Sequence, residues 1–360
     1  MRNKTMDVML ALGIIFVVMG HNYQPNVLFL QAYTFQVALF FFVSGYFFKA
    51  RLGLRDKLLW LKKKAINLLG PYFVYNIFYA VITFYLVSRG ISLGVSTNEN
   101  FNFYRFFITP FINGHQYFLY LAAWFVPQLF LIHLSAQFII IKESQFYIFG
   151  LLIISLGLSY LFIDKYAPSQ GDLLLVLGRT AFGLSFYLLG KLLNIFEANI
   201  KRYLCSPEAF VLIYIVYVSL ESFFGGFRYS LVVAEFSNHA AVTLIGTTAA
   251  ILMIYIISDY VGKSISENSL ILKIGRNTFS IMANHLLVFF SINYIFYKLT
   301  LIPAASLSDV FASYKLEKLW FVYLILGVGL PLLFSLFLKR FTLSKVLKLT
   351  PLNFLKTTSK

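Results

Sequence analysis

The stretch Phe146-Tyr-Ile-Phe-Gly-Leu-Leu-Ile-Ile-Ser-Leu-Gly-Leu-Ser-Tyr-Leu-Phe-Ile163 carries no charge over 18 residues. A run of that length fits an α-helix crossing a bilayer and is too long for a β-strand. Working outward, nine more apolar runs occur: Asp7–Asn22, Leu30–Phe48, Leu68–Val87, Tyr117–Ile141, Leu173–Phe196, Ala209–Phe224, Ala240–Val261, Thr278–Tyr297 and Leu319–Leu338. Together they predict an all-α fold, a polytopic bundle of about ten transmembrane helices. Composition agrees: of 360 residues, 59% are hydrophobic, 19% aromatic and only 12% charged, where a soluble domain carries about 25% charged residues. A soluble enzyme, a disordered chain and a disulfide scaffold are excluded. The single cysteine, Cys205, excludes an internal disulfide and a Cys-built metal cluster.

The formal net charge is +16, and the basic residues stand between the apolar runs. That placement points to membrane topology and anionic lipid headgroups rather than nucleic acid. With ten spans both termini share one side. Placing them in the cytoplasm puts 22 basic residues inside and seven outside, with Arg179 within a span; this is the positive-inside bias. Arg2 and Lys4 before the first span could signal export. The following Gly20-His-Asn-Tyr-Gln-Pro25 lacks a small-residue cleavage site, so the span is expected to stay. The bundle is expected over residues 1–345, with a basic cytoplasmic tail at 346–360.

Polar groups inside these runs are the candidate functional residues, because hydrocarbon penalises them. His21 ends the first span and could act as general base, nucleophile or proton relay, or be an interfacial histidine. Asp7 lies fourteen residues away, about 21 Å along a helix, so it cannot orient His21. Arg179 sits within the sixth span and needs partners, a wet cavity or a headgroup to snorkel to. Asn284 and His285 are adjacent in the ninth span and diverge by about 100°, so one of them faces a central cavity. Ser44-Gly45 reads as a close helix crossing, and Trp124 as an interfacial anchor or a platform for a sugar ring. Lys62, Lys63 and Lys64 could grip phosphates as point charges or touch anionic lipid. No histidine and carboxylate set has metal-ligand spacing, so no metal is expected.

Several segments taken in order resemble the acyltransferase-3 family of integral membrane O-acyltransferases, in its fucose-O-acetylase-like branch. They are Asp7 with Gly13-Ile-Ile-Phe-Val-Val-Met-Gly20-His21, Phe40-Phe-Phe-Val-Ser-Gly-Tyr-Phe-Phe48, and the Lys-rich stretch leading to Gly70-Pro71-Tyr72. Trp124-Phe-Val-Pro-Gln-Leu129, Phe186-Tyr-Leu-Leu-Gly190 and Ile274-Gly-Arg-Asn-Thr-Phe-Ser-Ile-Met-Ala-Asn-His285 follow. The resemblance covers about residues 5–340. It implies transfer of an acyl group, commonly acetyl from cytoplasmic acetyl-CoA, to a sugar hydroxyl of a surface polysaccharide or its lipid-linked oligosaccharide precursor. His21 falls on the family's catalytic histidine. It also implies a multi-pass protein of a bacterial plasma membrane, with acyl-CoA as donor substrate and no permanently bound cofactor. The chain departs from the pattern at Leu10, where relatives carry a basic residue, and at Asn67, where they often carry a second cation.

On this reading, neutral His21 takes the proton of a sugar hydroxyl as it attacks the thioester, directly or through an acyl-histidine. Arg179, Ser44 and Tyr46 are the candidate oxyanion donors. The alternative is a transporter, flippase or polymerase of surface glycans using the same polar residues as a path. The sequence gives no oligomeric state.

Overall fold

Asn3 starts the first helix: its side-chain oxygen accepts from the Met6 amide at 3.1 Å, and α1 runs from Lys4 to Gly20. The structure is a computed structural model that describes residues 2–22, 30–91, 93, 103–113, 117–165, 173–304, 307 and 319–340. After α1 come α2 (Gln36–Tyr46), α3 (Leu54–Ser88), the short α4 (Phe103–Phe107) and α5 (Thr109–Ile112), then a 3-10 segment, Phe118–Trp124, continuous with α6 (Phe125–Ile139). Next are α7 (Gln145–Tyr160), closing in a π turn at Leu161–Lys165, α8 (Leu173–Leu204) and α9 (Pro207–Phe224). A two-residue antiparallel ladder, β1 (Tyr229–Ser230) with β2 (Glu235–Phe236), pairs Tyr229 with Phe236 and Ser230 with Glu235. The chain then forms α10 (Ala240–Ser264), α11 (Leu270–Gly275), α12 (Thr278–Lys298) and α13 (Trp320–Arg340).

The protein is a polytopic helical bundle, and each of the ten predicted spans falls on a helix. Among the described residues eight helical segments are long and apolar enough to cross a membrane. The other two, α1 with 17 residues and α2 with 11, rise only about 25 and 16 Å, against a hydrocarbon core of about 30 Å. The expected second span therefore shrinks at its start. Residues 31–35 are not helical: Tyr33 has φ +67°, and its carbonyl accepts from Tyr229 N at 2.8 Å. The Thr34 carbonyl accepts from Thr247 Oγ1 at 2.6 Å. With these carbonyls taken by other segments, the α-helical ladder cannot begin before Gln36.

The opposite change occurs in α3, which begins fourteen residues before Leu68. Leu, Lys and Arg are good helix formers, so the lysine-rich segment continues the helix, and Pro71 does not end it.

α2 crosses α8 at backbone contact. A Cβ on Gly45 would lie 1.8 Å from the Tyr187 carbonyl oxygen, and one on Gly190 would lie 1.9 Å from that of Phe42. This is the close crossing expected from Ser44-Gly45.

One end of the bundle gathers the start of α1 and α12 with the ends of α8, α10 and α13. There Asp7, fully buried, accepts from Arg2 at 2.7 Å and Arg276 at 2.8 Å. Lys201 and Lys263 meet Asp259 at 3.0 and 2.5 Å, and Lys339 reaches Asn277 Oδ1 at 2.7 Å. The Arg276 guanidinium beside Glu267 holds that exposed carboxyl below its usual range. This is the end that the positive-inside reading of the sequence expects in the cytoplasm. The tail at 346–360 lies outside the described residues.

Gly190→Ala forces α2 and α8 apart and is expected to cost about 1–3 kcal/mol or more, whereas Gly150→Ala, with open space around it, leaves stability near wild type. Thermal melting in detergent distinguishes them.

Candidate active site

His21 is the residue that ends α1, and α12 brings His285 against it from 264 positions along the chain: His285 Nε2 lies 3.0 Å from His21 Nδ1. The other ring nitrogen of His285, Nδ1, lies 3.0 Å from the carbonyl oxygens of both Ile281 and Met282. Carbonyls only accept, so in the neutral ring Nδ1 carries the proton and Nε2 the lone pair. His21 must then donate from Nδ1, which makes its Nε2 the basic atom. A backbone-anchored histidine thus orients His21 as a carboxylate orients the histidine of a Ser-His-Asp triad, without bringing a charge into the bundle. Asp7 plays no part in this pair; it is held by its two arginines.

His21 lines a cavity whose walls are mainly apolar and aromatic. Ile14, Val17, Val37, Phe40 and Phe125 supply the apolar side, Trp124 and Tyr33 line it too, and residues 229–232 close it from the β1 segment. The site is recessed. From His285, α12 continues to Lys298, about 20 Å further along its axis.

Arg179 does not enter this cavity as a donor. It is 1% exposed, and its guanidinium is spent on three backbone carbonyls: Leu231 through Nε at 3.2 Å, Ile112 through Nη1 at 2.9 Å, and Val232 through Nη2. Leu231 and Val232 belong to the cavity wall, so Arg179 secures that wall from behind. The expectation of an oxyanion or substrate contact from Arg179 is corrected accordingly.

Ser44 and Tyr46 are corrected as well. They stand at the far end of α2, about 12 and 15 Å beyond Gln36 along the axis, and the Tyr46 hydroxyl bonds Glu197 rather than facing His21. Asn284 turns away from His285 toward α3: its Nδ2 donates to Tyr75 Oη at 3.2 Å, and its Oδ1 accepts from Tyr79 Oη at 3.2 Å. Trp124 stands at the junction of the 3-10 segment with α6 and does reach the cavity.

The lysines belong to a different place. Lys62 and Lys63 are exposed, while Lys64 Nζ lies 3.4 Å from His133 Nε2 and 5.3 Å from the centre of the Trp60 ring. Arg51 lies 4.8 Å from the same ring centre, and Tyr187 Oη is 3.0 Å from His133 Nδ1. His133 is one residue past two turns of α6 from Phe125, about 12 Å along the axis. A cationic cluster therefore lies below the cavity, on the side of Arg51 and α3. His239, largely exposed, begins α10 beside Asp164; His115 lies outside the described residues. Among the described residues no group of three or more His, Cys, Asp and Glu could hold a metal ion.

Sequence reading missed Gln36, Arg51 and the partnership of His133 with Lys64. For Gln36 a signal existed: an amide in an otherwise apolar run between Leu30 and Phe48 is itself an intramembrane polar residue. Its Oε1 accepts from the amides of Tyr33 at 2.8 Å and Phe35 at 3.4 Å, and the residue lines the cavity.

A hydrogen-bonded histidine pair, His285 buried and His21 half-buried on the wall of a recessed cavity, defines a site within the helical bundle suited to proton transfer. The chain belongs to the acyltransferase-3 family: residues 3–340 match the family model described as an acyltransferase domain. Neither the curated proteins nor the solved structures give a match.

Lysine at 179 cannot serve three carbonyls in the guanidinium's planar array. Arg179→Lys and Arg179→Ala are both expected to lower the melting temperature, since each orphaned buried carbonyl costs about 1–3 kcal/mol, and to speed amide exchange across residues 229–236. Unchanged exchange there would contradict the clamp.

Proposed function

We propose that this membrane acyltransferase moves an acyl group, acetyl in the simplest case, from acyl-CoA on the cytoplasmic side to a sugar hydroxyl. The acceptor is a cell-surface polysaccharide or its lipid-linked oligosaccharide precursor at a bacterial plasma membrane. The observation that carries this reading is the His21–His285 pair on the cavity wall. The sugar O–H gives its proton to His21 Nε2 while its oxygen forms a bond to the thioester carbonyl carbon. The tetrahedral intermediate then expels CoA sulfur, which takes the proton from His21. The ester and free CoA leave, and the enzyme returns to its starting state. Such positioned base help is worth about 10²–10⁴-fold.

His285 is a positioning residue here, fixing the tautomer and the ring plane of His21. The donor's phosphates are assigned to Lys62, Lys63 and Lys64 together with Arg51, because Leu10 offers no cation on α1 and lies buried in the core. From that cluster the pantetheine arm would pass along α6 toward the cavity. Trp124 and Tyr33 offer ring faces to a pyranose, in the manner of apolar sugar-face recognition.

In membranes given labelled acetyl-CoA and lipid-linked oligosaccharide, His21→Ala is expected to abolish glycan labelling. His285→Ala is expected to lower the rate about 10²-fold with KM for both substrates little changed. Only neutral imidazole accepts a proton, so wild-type kcat falls as pH drops through the His21 titration and is flat above it. Glycan movement across the membrane without label in the wild type would instead indicate a carrier. Charge-neutralising Lys62, Lys63 and Lys64 together is expected to raise KM for acetyl-CoA and blunt its salt dependence, with kcat largely kept; an unchanged KM would remove them from donor binding.

A further inference from the structure

Acyl transfer needs a donor to the carbonyl oxygen as it becomes an oxyanion, and the residues first suggested for that task are elsewhere: Arg179 is spent on carbonyls, and Ser44 and Tyr46 lie at the far end of α2. Gln36 is where they are not. It is 4% exposed, it opens α2, and it lines the cavity that His21 lines.

Its orientation is fixed by chemistry. The backbone amides of Tyr33 and Phe35 can only donate, so the atom they meet is the amide oxygen, and the NH₂ group occupies the other position. That nitrogen stands beside the end of α1, 3.5 Å from where a Cβ on Gly20 would be. Glycine there lets the amide come close to the segment that bears His21. Among the described residues the nitrogen donates to nothing, although Gln36 is the residue whose other half is fully engaged.

An N–H donor held in place through its own amide oxygen, on the wall of a cavity that also bears the base, is the arrangement that stabilises developing negative charge without reorganising at the moment of reaction. We propose that Gln36 Nε2 is the oxyanion donor of the acyl transfer, an inference that rests on the proposed function of the His21 site. As the sugar oxygen adds to the thioester carbonyl, the carbonyl π electrons move onto oxygen, which accepts from Gln36 Nε2. When the C–S bond breaks, the electrons return to re-form C=O and the sulfur leaves with the proton held by His21. Gln36 is unchanged at the end, and no further reactant is required.

Gln36→Glu tests this when assayed over a pH range that ionises the new carboxyl, because the carboxylate keeps an oxygen for the Tyr33 and Phe35 amides and replaces the donor by an acceptor, whereas the protonated acid would still donate. With purified full-length protein, acetyl-CoA and the lipid-linked acceptor, kcat is expected to fall about 10²–10³-fold. KM should change little, and the melting temperature is expected to fall as the buried carboxyl ionises. A kcat within a few-fold of wild type overturns the assignment, since a purely structural amide would be replaced in its capping role. His21→Ala run beside it separates the two levels: if that variant still transfers, the site reading fails; if it is dead while Gln36→Glu is active, only the oxyanion assignment fails. Should Gln36→Glu not fold, infrared spectra of wild-type protein holding acetyl-CoA labelled at the carbonyl carbon decide. A thioester carbonyl band displaced to lower frequency supports the donor, and a band at its free-solution position overturns it.

Discussion

The hydrogen bond from His21 Nδ1 to His285 Nε2 ties the end of α1 to the middle of α12, and the chemistry of the site hangs on it. Together with the Val17 backbone, which also bonds the His21 ring, it sets a tautomer in each ring without any carboxylate. That matters inside a membrane, where an ionised partner would have to be desolvated together with the base. Two backbone carbonyls anchor the far side of His285, so the helix itself holds the positioning ring in place. The pair is as uncharged as its surroundings, and the basic lone pair on His21 Nε2 is produced by geometry alone.

The position of that pair follows from the shortness of α1 and α2. Two helices that stop before a full crossing leave irregular backbone at depth, and such backbone survives only when protein groups satisfy it. Here they do so in detail. Thr247 takes the Thr34 carbonyl, Tyr229 takes that of Tyr33, Gln36 holds two amides, and Arg179 holds three carbonyls across two segments. The buried arginine and the buried glutamine are thus parts of one device that holds open a mainly apolar cavity, with His21 and Gln36 among its few polar wall residues, inside the bundle. At the other end, Asp7 between Arg2 and Arg276 fixes where α1 begins, and with it how deep His21 sits.

Much of this fold could be read from the chain because long uncharged runs admit few structures in lipid. The ten spans, the helix crossing at Ser44-Gly45 and the divergence of Asn284 from His285 all follow from hydropathy and helical periodicity. What the chain does not disclose is set by contacts between distant segments. The start of α2 depends on Tyr229 and Thr247. The pairing of residues 21 and 285 depends on how α12 tilts past α1. Arg179 announced itself as a buried cation, but its partners are main-chain oxygens, which no residue type reveals. Tyr46 and Ser44 suggested themselves by composition, and helical rise alone, once the bounds of α2 were known, removes them from the cavity.

The most direct test of the account is a structure of the protein trapped with an acyl-CoA and a saccharide acceptor. The account predicts the thioester carbonyl carbon and the acceptor hydroxyl meeting beside His21 Nε2, with the nucleotide phosphates among Arg51 and Lys62–Lys64. An acyl group bound elsewhere in the bundle, with the cavity holding saccharide alone or nothing, would contradict it.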